Sequence, residues 1–179
     1  MPSFSKILLW LLIAVCIAIP ALWLAGGKKH DFEATIDIDS TPDVVFSFVV
    51  DPDKNKTWMS GLRQIELYSD NQSEEGRDIG KTTSRTIEID AQELKFSDDV
   101  LRFEQDSALS VRSTNSQMVM TSIFRLTPKG DQTSLSYRIT TQNSGIGRFM
   151  AVLNKTDTQA RLDKDILALK NAIESTSGN

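Results

Sequence analysis

The chain has 179 residues and a formal net charge of −4, and its length is sufficient for one domain with a substantial core. All 24 acidic residues, but only 17 of the 20 Lys and Arg residues, follow His30, which gives that part a charge of −7. Nucleic-acid binding needs a concentrated basic surface, so we predict no nucleic-acid partner. The negative charge of this part of the chain should also repel anionic lipid headgroups, except near Lys28 and Lys29.

The first predicted element is a membrane helix. Residues 7–25 carry no charge, and as a helix they would span roughly 28 Å, close to the hydrocarbon thickness of a bilayer. Trp23 stands where cleavage of a signal peptide needs a small residue, so we predict an uncleaved anchor. Lys6 lies before the apolar run, and Lys28 and Lys29 follow it, so the positive-inside rule gives almost no bias in orientation.

A strand and two short helices are predicted to open the folded domain. Residues 31–39 alternate between apolar and polar side chains, which is the pattern of a strand with one solvated face. Thr41 and Pro42 are typical of a helix N-terminus, and the apolar residues after them predict a short buried helix. We expect Asp53 to cap the second short helix.

Residues 63–141 predict a succession of antiparallel strands. A strand at 63–68 leads into a polar loop at 69–80. The strand-like segments after this loop are separated by turn residues such as those at 128–131, and they are residues 81–89, 93–97, 100–104, 109–114, 118–126 and 133–141.

The last predicted element is a long amphipathic helix over residues 145–174. Its polar positions, including Asp163, Lys164, Asp165 and Lys170, are assigned to a solvated face. Its apolar residues recur in steps of three and four and predict one buried stripe: Ile146, Phe149, Met150, Leu153, Leu162, Ile166, Leu169 and Ile173. The chain contains no internal repeat, so we expect one tethered domain, with an anchor at 1–27, a linker at 28–31, the domain at 32–175 and a tail at 176–179.

Several short motifs in this order resemble those of a known superfamily. They are Ile-Asp-Ile-Asp-Ser-Thr-Pro-Asp-Val-Val-Phe at 36–46, Asp51-Pro52 leading to Trp58 and Gly61, Gly76 with Gly80, and residues 161–170 with Glu174. Over residues 31–175 the sequence resembles the START/Bet v 1-like (SRPBCC) superfamily and, within it, bacterial polyketide cyclase/dehydrase-like proteins. The resemblance implies an α+β helix-grip fold. In that fold a curved antiparallel sheet wraps around a long C-terminal helix, and two short helices follow the first strand.

The resemblance also implies a cavity between the sheet and the C-terminal helix that takes a greasy or aromatic ligand. We therefore expect a membrane-tethered domain that binds or carries a lipid, isoprenoid or quinone. It would be a single-pass protein of the bacterial inner membrane, with the domain on the periplasmic side. For each pocket-lining candidate the alternative is ordinary core packing, and the candidates are Trp58, Met59, Met118, Met120, Phe124, Tyr137, Phe149, Met150 and Leu153.

Two other functions stay open. A cyclase- or aromatase-like enzyme would use Tyr137 or Arg85 to polarise a carbonyl, although the alternation around Arg85 also suits an exposed strand. An interaction module of a membrane or envelope complex would have a closed core and an exposed apolar patch.

Other chemistries lack the residues that they need. Because His30 is the only histidine and Cys16 the only cysteine, we expect no histidine base, no transition-metal site and no cofactor. Two carboxylate pairs, Asp51 with Asp53 and Asp98 with Asp99, are interpreted as cap and turn residues, and not as calcium ligands. No sequence motif identifies a protein partner.

Overall fold

The computed structural model describes residues 4–67, 82–89, 92–145, 147–148 and 155–177. Its helices are α1 (Phe4–Gly26), α2 (Pro42–Val50), α3 (Pro52–Trp58) and α4 (Lys155–Ser177). Its strands are β1 (Lys29–Ile38), β2 (Leu62–Leu67), β3 (Thr82–Ile89), β4 (Gln92–Glu104), β5 (Ala108–Thr114), β6 (Met118–Lys129) and β7 (Gln132–Asn143).

The seven strands form one curved antiparallel sheet in the order β1-β7-β6-β5-β4-β3-β2. From β2 to β7 each strand pairs with the next one in the chain, because most of the connections between them are short. Helices α2 and α3 carry the chain from β1 at one edge of the sheet to β2 at the other. The two short helices therefore cross the inner face of the sheet, and the core lies beneath them.

Strand β1 confirms the predicted alternation. Phe32 and Ile38 are buried on the inner face, whereas the charged residues between them are exposed. The strand begins earlier than predicted, because Lys29 already pairs with Gln142 of β7. Three of the four residues assigned to a linker at 28–31 are therefore part of the sheet.

Helix α4 runs alongside β1 in the same direction. Near its C-terminal end, Lys170 Nζ donates to the carbonyl oxygen of Asp37 at 2.7 Å, and Glu174 Oε1 accepts from the backbone N–H of Asp39 at 2.9 Å. Within this helix the predicted apolar stripe is confirmed. The four stripe residues that belong to α4 are almost completely buried, and they are Leu162, Ile166, Leu169 and Ile173. Packing of this stripe against β1 and α3 closes one side of the core.

Two predictions about the C-terminal helix are wrong. Gly145 does not begin a helix but lies in a turn with φ of 53°, a conformation that glycine adopts without steric cost. Asp165 is not on the solvated face. It is buried at 7% exposure, and its Oδ1 accepts from the backbone N–H of Ser60 at 3.0 Å. The predicted helical residues 146 and 149–154, like the predicted loop at 69–80, lie outside the described residues.

The boundaries of three other elements also differ from the prediction. The segments 93–97 and 100–104 are one strand, β4, in which an irregular register between Val100 and Arg102 mimics a break in the alternation. Pro128 belongs to β6, so the turn before β7 is shorter than predicted. The cap of α3 is Asp51 and not Asp53, because the capping side chain precedes the first helical residue and Asp51 Oδ1 accepts from the Asp53 N–H at 2.8 Å.

Candidate ligand-binding cavity

A cavity of about 590 Å³ lies between helices α2 and α3 and the inner face of the sheet. Its walls come from α2, α3 and the segments that follow each helix, and from strands β2 to β7. No described residue of α4 lines it, so the predicted location between the sheet and the C-terminal helix is wrong for this part of the chain. The apolar lining residues are Val49, Val50, Pro52, Met59, Ile65, Val100, Phe103, Leu109, Val111 and Phe124.

Two stacked aromatic rings, supported by a third, form the wall on β6 and β7. Phe124 and Tyr137 are cross-strand partners, and their rings stack with centroids 4.1 Å apart. Trp58 packs edge-on against both rings at 6.2 and 6.4 Å and is 3% exposed. Its Nε1 donates to the carbonyl oxygen of Phe48 at 3.0 Å, which fixes the indole. Trp58 therefore supports the cavity wall from behind without lining the cavity.

A buried ion pair forms the polar part of the cavity. Arg85 on β3 and Asp98 on β4 both line it, with Arg85 Nε 3.0 Å from Asp98 Oδ2. Arg85 Nη2 donates to the hydroxyl of Ser113 on β5 at 2.7 Å, and Nη1 contacts Met59 Sδ at 3.5 Å. The side chains of the pair are 9% and 10% exposed, so opposite charges are held at short range away from bulk water.

The ion pair corrects two interpretations made from the sequence. Arg85 does not lie on an exposed strand, because its side chain turns into the cavity. Asp98 is not a turn residue. Since β4 is continuous, Asp98 follows Phe96 on the inner face of that strand. In the sequence, only the alternation with Phe96 and Val100 indicates that Asp98 is on the inner face, and the predicted break at residues 98–99 concealed that signal.

Two further polar groups face the same space. Burial raises the pKa of Tyr137 to about 12, and the neighbouring Ser122 hydroxyl and the charge of Arg85 only partly oppose this shift. The phenol is therefore protonated at neutral pH and can donate a hydrogen bond, but it cannot serve as a base. Asn55 on α3 is 8% exposed, and its buried Oδ1 has no hydrogen-bond partner among the described residues. A ligand or water donor in the cavity would satisfy this acceptor.

The structure divides the nine pocket candidates into three groups. Met59, Phe124 and Tyr137 line the cavity. Trp58 is buried behind it, while Met118 and Met120 are half-buried on β6 outside the lining. The other three lie outside the described residues, namely Phe149, Met150 and Leu153. Sequence patterns did not identify Arg85, Asp98 and Asn55 as a group, because they lie on three elements that only the fold brings together.

A sequence profile of the family described as polyketide cyclase/dehydrase and lipid transport matches residues 29–174, from the start of β1 to near the end of α4. The chain belongs to this family. The match confirms the resemblance to the START-like superfamily. A search of curated proteins finds no match to the chain.

Solved structures share the fold of this polyketide cyclase/dehydrase and lipid transport family member at low sequence identity. Protein TTHA0849 from Thermus thermophilus is 12% identical with a TM-score of 0.67, and the alignment covers 83% of this chain and 99% of that one. A START superfamily protein from Mycobacterium smegmatis is 16% identical with a TM-score of 0.63, covering 82% and 99%. These likenesses confirm the predicted helix-grip fold.

One similar structure belongs to a larger protein. The di-domain ARO/CYC StfQ from the steffimycin biosynthetic pathway is 11% identical with a TM-score of 0.66. The alignment covers 87% of this chain but 54% of StfQ. At this identity the likeness concerns the fold, and function has to be argued from the cavity itself.

Proposed function

We propose that this family member binds or carries a hydrophobic small molecule, such as a lipid, isoprenoid or quinone, in the cavity beneath α2 and α3. The observation that carries the proposal is the cavity itself, because about 590 Å³ lies in the range of pockets that enclose small ligands. Its mostly apolar walls favour a hydrophobic body, and its few polar groups favour a ligand with one polar end.

The polar groups restrict the ligand's headgroup. Tyr137 and Arg85 are donors, so a carbonyl or hydroxyl oxygen of the ligand can accept from this part of the wall. Asn55 Oδ1 can accept from a ligand hydroxyl or from a bridging water. A quinone carbonyl or an isoprenoid alcohol can accept from the two donors, which a pure hydrocarbon cannot do, and of these ligands only the alcohol can also donate to Asn55 Oδ1.

Helix α1 supplies the second part of the proposal. Residues Ser5–Gly26 form a helix with a mean hydropathy of 2.8, long and apolar enough to cross a membrane, and the described residues of its most apolar window are not buried in the domain. We propose that this helix is an uncleaved single-pass anchor that holds the domain at the periplasmic face of a bacterial inner membrane. A ligand that partitions into the bilayer is then concentrated beside the protein that binds it.

A cyclase- or aromatase-like enzyme is the second candidate. The observation in its favour is the convergence of Arg85 and Tyr137 on one cavity, where two donors could stabilise negative charge on a carbonyl oxygen. The interaction-module alternative predicts a closed core, and the cavity does not support it. The two remaining candidates differ in outcome, because an enzyme releases a product that differs in structure from the molecule that it bound.

Filling the cavity tests the proposal. Val100 lines the cavity, whereas its neighbour Leu101 is 37% exposed and outside the lining. In the full chain held in lipid nanodiscs, Val100→Phe is expected to abolish uptake of a fluorescent fatty-acid probe, and the control Leu101→Phe is expected to retain it. Circular dichroism establishes that both variants are folded. Equal uptake by the two variants would contradict the cavity as the binding site.

A further inference from the structure

The end of α1 is packed against a residue that is far away in the sequence. Gly26 is buried, and a Cβ atom built on it would lie 1.8 Å from the carbonyl oxygen of Arg148. No side chain larger than hydrogen fits this contact without movement of the backbone. The membrane helix and the segment before α4 are therefore held in contact, and the position of Arg148 relative to the helix end is fixed.

The guanidinium group of Arg148 lies along the last turn of α1. Its Cζ is 4.8 Å from the ring centroid of Trp23, a cation–π distance. A Cβ atom on Gly27 would be 3.0 Å from the same Cζ, so the group covers the backbone there. Its Nε is buried and has no hydrogen-bond partner among the described residues. The residue is only partly buried, and no hydrogen bond or ion pair of its Nη1 and Nη2 groups is found among the described residues, so these two groups supply the donors at this end of the helix.

Two more cations follow the helix in the chain. Lys28 and Lys29 come after Gly27 and are exposed, and no ion pair of either is found in the described part of the chain. Trp23 is near the end of the apolar run, where tryptophan side chains sit at the level of lipid headgroups. Lys28, Lys29 and Arg148 therefore bring three positive charges to the end of α1, in a chain whose net charge after His30 is negative.

We propose that this junction binds the phosphate group of an anionic phospholipid. Arg148 supplies the planar fork of donors that matches a phosphate, and Lys28 and Lys29 add positive charge. The apolar side chains of α1 below Trp23 contact the acyl chains, an interaction that free phosphate cannot make. The inference rests on the proposed membrane anchoring of α1, and it makes the domain selective for the lipid around its own anchor.

Quenching of Trp23 fluorescence by brominated lipids measures this selectivity. The full chain carrying Trp10→Phe is reconstituted into vesicles in which either phosphatidylglycerol or phosphatidylcholine bears the same brominated chains. Trp58 is buried in the domain and contributes a constant background. We expect stronger quenching by brominated phosphatidylglycerol. Since each basic residue near a membrane surface contributes about fivefold in binding, Arg148→Gln is expected to reduce the preference by about that factor.

Two variants distinguish a specific binding site from nonspecific electrostatic attraction. Arg102→Gln removes one positive charge from an exposed position on β4, and it should leave the preference unchanged. Gly26→Ala retains every charge but displaces the Arg148 backbone, so it should lower the preference as Arg148→Gln does. Circular dichroism confirms that each variant is folded.

Three results would overturn the inference. One is an unchanged preference in both Arg148→Gln and Gly26→Ala, with loss only when Lys28 and Lys29 are neutralised. The second is a preference that millimolar inorganic phosphate abolishes, because the site would then take free phosphate. The third is an anchored chain with no preference at all. Extraction of the chain from vesicles by alkaline carbonate would instead show that the proposed anchoring itself fails.

Discussion

The ion pair between Arg85 and Asp98 gives the sharpest test of the structure, through Asp98→Asn. The substitution leaves the guanidinium charge buried without its counter-ion, retaining the hydrogen bond to Ser113 at 2.7 Å. Breaking a buried pair in this way costs about 3–5 kcal/mol. For a chain of this length that loss corresponds to a fall in Tm of about 6–20 °C. Thermal unfolding of the full chain in detergent, followed by circular dichroism, measures it.

The exposed pair of Glu33 and Arg138 provides the matched control. Its side chains are 45% and 47% exposed, so Glu33→Gln is expected to cost less than about 1 kcal/mol. The double variant Arg85→Met with Asp98→Leu removes both buried charges and should regain most of the lost stability. A fall in Tm for Asp98→Asn no larger than that of Glu33→Gln would refute the buried pair.

Three further predictions concern helices α3 and α4. Burial raises the pKa of Asp165, and the native state therefore loses stability as pH rises above the unfolded value of about 3.9. Asp165→Asn should raise Tm at pH 7 relative to wild type and lose this advantage near pH 3. An advantage that is the same at both pH values would contradict the burial of this carboxyl group. Leu169 is fully buried, so Leu169→Ala should cost about 2–5 kcal/mol in urea unfolding, against a few tenths for the exposed Leu167→Ala; similar costs would place Leu169 outside the core. Removing the cap with Asp51→Ala should cost about 0.5–2 kcal/mol, and no loss would contradict the two hydrogen bonds that its side chain accepts.

Regular alternation and helical spacing made most of the fold predictable. Residues 31–39 and the stripe from Leu162 to Ile173 each have one buried face, and the period of their apolar residues identified both the type of element and its buried face. The order of elements together with the motifs then indicated the helix-grip fold. Prediction failed where a local irregularity or a tertiary contact overrode the pattern. In β4 the bulge near Val100 broke the alternation, and at Asp165 a hydrogen bond from Ser60 offsets part of the cost of burying the carboxylate.

The cavity was less predictable than the fold. Aromatic residues such as Phe124 and Tyr137 could be assigned to the interior from their position in the strand pattern. That pattern does not indicate whether a buried side chain packs against another residue or lines a cavity. The polar groups were harder still, because Arg85, Asp98 and Asn55 come together only through the pairing of β3 with β4 and the crossing of α3 over the sheet. Which charged residues are buried is decided by such long-range contacts.

The proposed function is tested most directly by identifying the molecule that copurifies with the chain. The full chain, expressed in a bacterial host and purified in mild detergent, would be analysed by native mass spectrometry, and its organic extract by chromatography. Binding in the cavity predicts a stoichiometric lipid, isoprenoid or quinone that is retained by Leu101→Phe and absent from Val100→Phe. A chain that carries no such molecule, and that takes up none when it is supplied, would contradict the proposed function.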